Sequence, residues 1–215
     1  MLITLVKEST QGYTAFTMQN TIDMECEDFE DIIFDALQLE GEDLSGRTFI
    51  DCSFQNCRLS ECQLRGATFR DCRFENCELT LLKVENAGFS NTEFISSRVQ
   101  GINFSDSTEY MFYSDFIDCD VRHCYFSNMN LSKKNFSGSR FRDSEFHKIN
   151  LSEALFVKTE FSETGFGDCD LRKADFSDAR GYSIHPEQNK LRGAIFSVPD
   201  VLALLAPLGI KIKEA

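Results

Sequence analysis

The chain has 215 residues, with 35 Asp and Glu against 22 Lys and Arg, for a formal net charge of −13. That surplus argues against direct binding to nucleic acid, whose phosphates attract Lys and Arg, and no apolar run reaches membrane-spanning length. Nine Cys behind an N-terminus without a signal-peptide pattern read as reduced thiols, so the expected location is cytoplasmic.

The first element expected is a capping hairpin within residues 1–21. Leu2-Ile3-Thr4-Leu5-Val6 alternates, Ser9 to Gly12 supplies turn residues, and Tyr13 to Thr17 resumes the strand pattern. Such a hairpin would cover an open sheet edge that would otherwise invite aggregation.

Over residues 22–196 a hydrophobic beat of five takes over. Met24 is followed by Phe29, Phe34, Leu39 and Leu44, and the spacing holds to Phe104; after a two-residue slip it resumes at Met111 and runs through Phe116, Val121 and Phe126 to Phe176. Neither the helical period of about 3.6 nor the strand period of about 2 produces this, and a fixed repeat signals a solenoid. In the first block the order Phe, Phe, aliphatic, aliphatic returns every 20 residues with Phe104 as the exception, and Leu131, Leu151, Leu171 and Leu191 keep the same interval in the second. Twenty residues at five to a side make a four-sided coil, with Phe stacked on Phe and Leu on Leu in successive turns.

Two residues before each beat the chain places something small, as at Cys52, Cys57, Ala67, Cys72, Cys77, Ser139 and Ala174. Eight of the nine Cys fall there, all but Cys26, which reads them as small buried hydrophobes. Cys119 and Cys124 flank His123, but their spacing sends them to successive inner faces, so no metal site is expected. The slip at Ser105 to Tyr110 must bulge outward, because the coil has no spare interior; its polar residues Asp106, Glu109 and Tyr110 are candidates for partner contact.

Residues 197–215 read as a helix and tail. Ser197 is the expected N-cap, Pro199 sits in the tolerant first turn, and Pro207 limits the helix to about two turns. Val201, Leu204, Leu205 and Leu208 then share one face, and together with Ile210 they are expected to cap the last coil and join a second chain about a two-fold axis.

Units such as Cys52-Ser53-Phe54-Gln55-Asn56, Cys62-Gln63-Leu64-Arg65-Gly66 and Ala174-Asp175-Phe176-Ser177-Asp178 resemble the pentapeptide-repeat family. The resemblance implies an all-β fold, a right-handed quadrilateral β-helix, here followed by a short C-terminal α-helix. Gly181-Tyr182-Ser183-Ile184-His185-Pro186, leading through Ile195-Phe196-Ser197 to Leu208-Gly209-Ile210, resembles the ending of its topoisomerase-protecting branch, the quinolone-resistance, albicidin-immunity and microcin-immunity proteins. That likeness implies a homodimer of rods that imitates duplex DNA and binds DNA gyrase or topoisomerase IV. Long projecting loops occur in the quinolone-resistance group; this chain has only the short slip.

Charge bears on the mimicry. A rod of eight rungs is roughly 38 Å long, and a duplex of that length carries roughly 22 charges. Residues 1–110 hold 20 acids against 8 bases and residues 111–215 hold 15 against 14, so the acid gathers early, around Glu27, Asp28, Glu30 and Asp31. His123, His147 and His185 are scattered and no catalytic constellation can be assembled, so neither an enzyme nor a cofactor is expected. Two functions fit: a DNA-mimicking modulator or protector of a type II topoisomerase, or a non-enzymatic interaction scaffold whose partner is unrelated to DNA.

Overall fold

The computed structural model describes residues 22–108, 112–210 and 213, and the main chain of 6–7 and 16–19. It is a right-handed β-solenoid of about eight turns. Each side of the coil is a strand of about three residues, such as Asp28–Glu30, Thr48–Ile50 and Ser53–Gln55, with the central residue pointing inward. Successive turns pair in parallel and in register, Phe34 on Phe54, Phe54 on Phe74, Phe74 on Phe94 and Phe94 on Phe116. Their rings stack with centroids 4.8, 4.5, 5.2 and 4.7 Å apart.

Tight corners require a backbone most residues avoid. Among the described residues twenty-three that are not glycine, usually two places after the beat, have positive φ, including Asp31, Asn56, Asp71 and Asn76. The left-handed conformation costs about 1–2 kcal/mol and is easiest for Asn, Asp and Gly, which is why those types crowd the corners. Each corner N–H is then satisfied by the next turn, as where Asp31 N donates to Ile50 O at 3.1 Å and Asn56 N to Glu75 O at 3.0 Å.

The small inward residues also serve as hydrogen-bond donors. Cys57 Sγ donates to Phe34 O at 3.3 Å, Ser97 Oγ to Phe74 O at 3.1 Å, and Thr159 Oγ1 to Phe136 O at 2.9 Å. Cys, Ser and Thr therefore exchange freely in this slot, each reaching a wall carbonyl of the preceding turn. Burial pushes the Cys119 thiol up to about 12 and those of Cys124 and Cys169 to about 11, so they stay protonated and inert. Asn189, outside the five-residue beat, fills the same kind of slot, accepting from Cys169 N and donating to Phe166 O, both at 2.9 Å.

Four details differ from the sequence reading. Met24 is exposed in a turn, and Ile22 closes the first coil in its place. At the slip, Phe112 takes the inward position, paired with Phe89, and a register shift between Ser90 and Thr92 brings Phe116 back over Phe94; Met111, where the beat was expected to resume, lies outside the described residues. Three extra residues thus precede Phe112 and one is lost after it, which leaves the net slip of two. The third difference is the winding of the terminal helix. Asp200–Leu208 is a 3-10 helix; Val201 N still reaches back four residues to Ser197 O at 3.0 Å, whereas Leu202 N to Pro199 O and Gly209 N to Ala206 O span three, and Pro207 has no N–H to donate near its end. Fourth, Ser197 does not cap it; its Oγ accepts from Asp178 N at 2.9 Å and closes a corner of the coil.

Phe104, the exception in the repeat, starts a new aromatic column. It stacks on Phe126, Phe126 on Phe146 and Phe146 on Phe166, at 5.0, 5.1 and 5.0 Å. The column that began with Phe29, Phe49 and Phe69 turns aliphatic after the slip, at Leu131, while the Phe34 column stays aromatic through Phe116, Phe136 and Phe156 to Phe176. At the N-terminus, Val6–Lys7 pairs antiparallel with Phe16–Gln19, which pairs in parallel with Ile32–Asp35. The remainder of residues 1–21 lies outside the described residues.

Candidate partner-binding surfaces

With the beat inward, function must lie on the outward positions beside each beat residue. The four faces are numbered here from the one that begins at Phe29, followed in chain order by those that begin at Phe34, Leu39 and Leu44.

Face three is self-neutralised. Its column reads Arg58, Glu78, Arg98, Asp120, Arg140, Glu160 and Arg180, alternating in sign through in-register pairing. Arg58 meets Glu78 at 2.6 Å, Arg98 meets Glu78 at 3.5 Å, Arg142 meets Asp120 at 3.6 Å, and Arg140 meets Glu160 at 3.1 Å. The Arg122 hydrogen bond, then the charges of Arg122, Arg142 and Arg98, hold Asp120 below the usual carboxylate range. Exposed pairs of this kind contribute only about 0–1 kcal/mol each. Their larger effect is to leave this face without a net field for a charged partner.

Face one is arranged in the opposite way. Asp28, Glu30 and Asp31 are all exposed on its first rung, and Asp31, Asp51 and Asp71 stack at successive corners. Like charges about 4.8 Å apart repel, and among the described residues none of Glu27, Asp28, Glu30 or Asp31 pairs with a Lys or Arg. The other end of the same face is basic. Arg172, Lys173, Lys190 and Arg192 are exposed there; Arg172 is held by Asp170 at 2.6 Å and Lys173 approaches Glu153 at 3.8 Å.

Asp106 is exposed and accepts from Asn103 Nδ2 at 3.0 Å, in a 3-10 turn over Phe104–Asp106. Glu109 and Tyr110 lie outside the described residues. Beside the slip, Lys134 occupies an inward slot meant for a small residue. Its Nζ lies 3.3 Å from the Tyr113 ring centroid and 3.2 Å from Asp115 Oδ2, which carries the charge toward the wall.

At the C-terminus the 3-10 winding regroups the apolar residues. Side chains three apart eclipse, so Leu202, Leu205 and Leu208 form one row and Val201 and Leu204 another. Leu204 packs on the core, while Leu202 and Leu208 are 40% and 42% exposed. Ile195, Val198 and Ile210 are exposed beside them, at 52%, 80% and 50%. The helix also darkens the environment of Tyr182, whose hydroxyl is buried without a partner; burial and then the Asp200 charge push it up to about 12.

The family model described as the pentapeptide repeat region matches residues 47–109 and 114–196, well over half of the chain. The protein belongs to the pentapeptide-repeat family. Its break between residues 109 and 114 coincides with the slip. Among solved structures, two trypsin-treated forms of QnrB1, a plasmid-mediated fluoroquinolone resistance protein, share the fold of this pentapeptide-repeat protein. One aligns with a TM-score of 0.62 at 20% identity, covering 86% of this chain and 90% of that one. The other gives 0.58 at 22%, covering 87% and 90%. No curated protein matches by sequence. Among the described residues no helix is long and apolar enough to cross a membrane.

Proposed function

We propose that this pentapeptide-repeat protein binds a type II topoisomerase, DNA gyrase or topoisomerase IV, as an acidic rod in the groove that accepts duplex DNA, and so modulates the enzyme or protects it from drugs or toxins. The observation that carries this is the exposed, unpaired acid of the first coil, Glu27, Asp28, Glu30 and Asp31, set on a rigid scaffold with rungs about 4.8 Å apart. Further support comes from the fold it shares with a fluoroquinolone resistance protein. Many carboxylates act together in such contacts, so binding falls as salt rises and single substitutions do little.

Reversing Glu27, Asp28, Glu30 and Asp31 to Lys adds two charges at each position and takes the net charge from −13 to −5. Surface plasmon resonance against purified gyrase is expected to lose affinity by roughly tenfold or more. Unchanged binding by a variant with wild-type circular dichroism would move the contact away from this coil.

The row Leu202, Leu205, Leu208, with Ile210 beside it, is the proposed homodimer contact, and Val201 and Leu204 anchor the helix to its own coil. Leu208→Asp places an unpaired charge in that contact. Light scattering is expected to give monomers, with the melting temperature of the coil little changed, because Leu208 is already 42% exposed. A variant that stays dimeric through this contact contradicts the assignment.

A further inference from the structure

Face one carries a charge distribution that a single chain leaves unsatisfied and that a second copy would satisfy. Its inward residues run from Phe29 through Phe112, at the middle rung, to Leu191. The first rung presents Asp28, Glu30 and Asp31; the last presents Lys190 and Arg192, neither of which has a carboxylate within 4.0 Å among the described residues. Face three shows that the same scaffold can alternate charge and neutralise itself, so segregation on face one is a property of this face rather than of the fold.

We infer that face one pairs with face one of a second copy, antiparallel, about a two-fold axis through the middle rung. That operation sets the first rung of each chain against the last rung of the other. It keeps the two sides of the beat in place, so that Asp28 comes opposite Lys190 and Glu30 opposite Arg192. The pairing is isologous and closed, and satisfies both charged ends at once. Beside the axis lies Tyr113, next in the chain to Phe112 and 42% exposed. Lys134 sits against one side of its ring, which holds it in place as a preformed aromatic anchor at the centre of the contact. A face roughly 38 Å long and five residues wide, about 16 Å, covers about 600 Å² per copy, at the lower edge of specific interfaces. The association is therefore weak, reversible and dependent on salt.

This contact is distinct from the apolar C-terminal one, whose strength does not fall with salt. It does not rest on the topoisomerase reading, and it is tested on the protein alone. Sedimentation velocity is run on the full chain carrying Leu208→Asp, so that only face one can associate, at about 50 mM and about 500 mM salt. The expected result is a dimer at low salt whose association constant falls roughly tenfold or more at high salt. Asp28→Lys with Glu30→Lys makes both ends basic, and Lys190→Glu with Arg192→Glu makes both ends acidic; each double variant is expected to be monomeric alone. Mixed one to one, they are expected to form a heterodimer, and all four substitutions in one chain are expected to restore self-association. Tyr113→Ala is expected to weaken the low-salt dimer roughly tenfold. A parent protein that is monomeric at low salt, an association insensitive to salt, or a four-fold variant that stays monomeric overturns the inference.

Discussion

Phe54→Ala is expected to cost about 3–5 kcal/mol, the usual penalty for deleting a fully buried ring. Phe54 is 1% exposed and lies between Phe34 and Phe74, stacked on both, with Phe49 and Phe69 edge-on at 5.5 and 6.1 Å. The neighbours are fixed to rungs by ladder hydrogen bonds, so they cannot close over the space the ring leaves. Gln55, next in the chain, points outward and bonds only Ser53 Oγ at 3.3 Å; Gln55→Ala is expected to be neutral within about 0.5 kcal/mol. Urea melts of the two variants check this, and equal losses would mean that the beat does not face the core.

The second large effect is expected at Gly181. The chain cuts a corner there: Arg180 still lies over Glu160, but Ile184 comes over Phe166 after only 18 residues. Gly181 has φ +71°, and an added Cβ would run into the carbonyl oxygen of Phe161, a backbone atom held in the preceding turn. Gly181→Ala therefore combines left-handed strain of about 1–2 kcal/mol with a clash that costs about 1–3 kcal/mol. Gly46 has nearly the same φ, +70°, with nothing within 4 Å of the added atom. Gly46→Ala is expected to show the strain alone. A urea midpoint for Gly181→Ala no lower than that for Gly46→Ala would refute the close approach at this corner.

The period of five makes the fold legible in the sequence, because a packed interior forces similar residue sizes onto the same face in successive turns. Eight of the nine Cys are buried as that argument requires, and Cys26 is half-buried. The exceptions were harder to read for physical reasons. Met24 keeps the beat by spacing but belongs to a turn that precedes the first complete coil. Met111 and Phe112 are adjacent and both apolar, so the sequence alone does not show that Phe112 pairs with Phe89. The terminal helix carries leucines that suit an α or a 3-10 winding, so their spacing does not decide between the two.

The surfaces were less legible than the core. Net charge and the early excess of acid can be counted along the chain, yet the alternating column of face three and the segregated one of face one appear only when residues about twenty apart are set side by side. Lys134 shows the same limit: its position two before Phe136 calls for a small residue, and its escape toward Asp115 depends on a neighbour on another turn.

Binding to purified gyrase, read together with supercoiling and drug-induced cleavage, tests the functional proposal most directly. The account predicts that the unaltered protein binds the enzyme in a salt-sensitive manner, competes with duplex DNA for it, and changes supercoiling or protects against cleavage. A protein that neither binds gyrase at low salt nor alters supercoiling or cleavage would contradict it, and the fold would then serve as a scaffold for a partner unrelated to DNA.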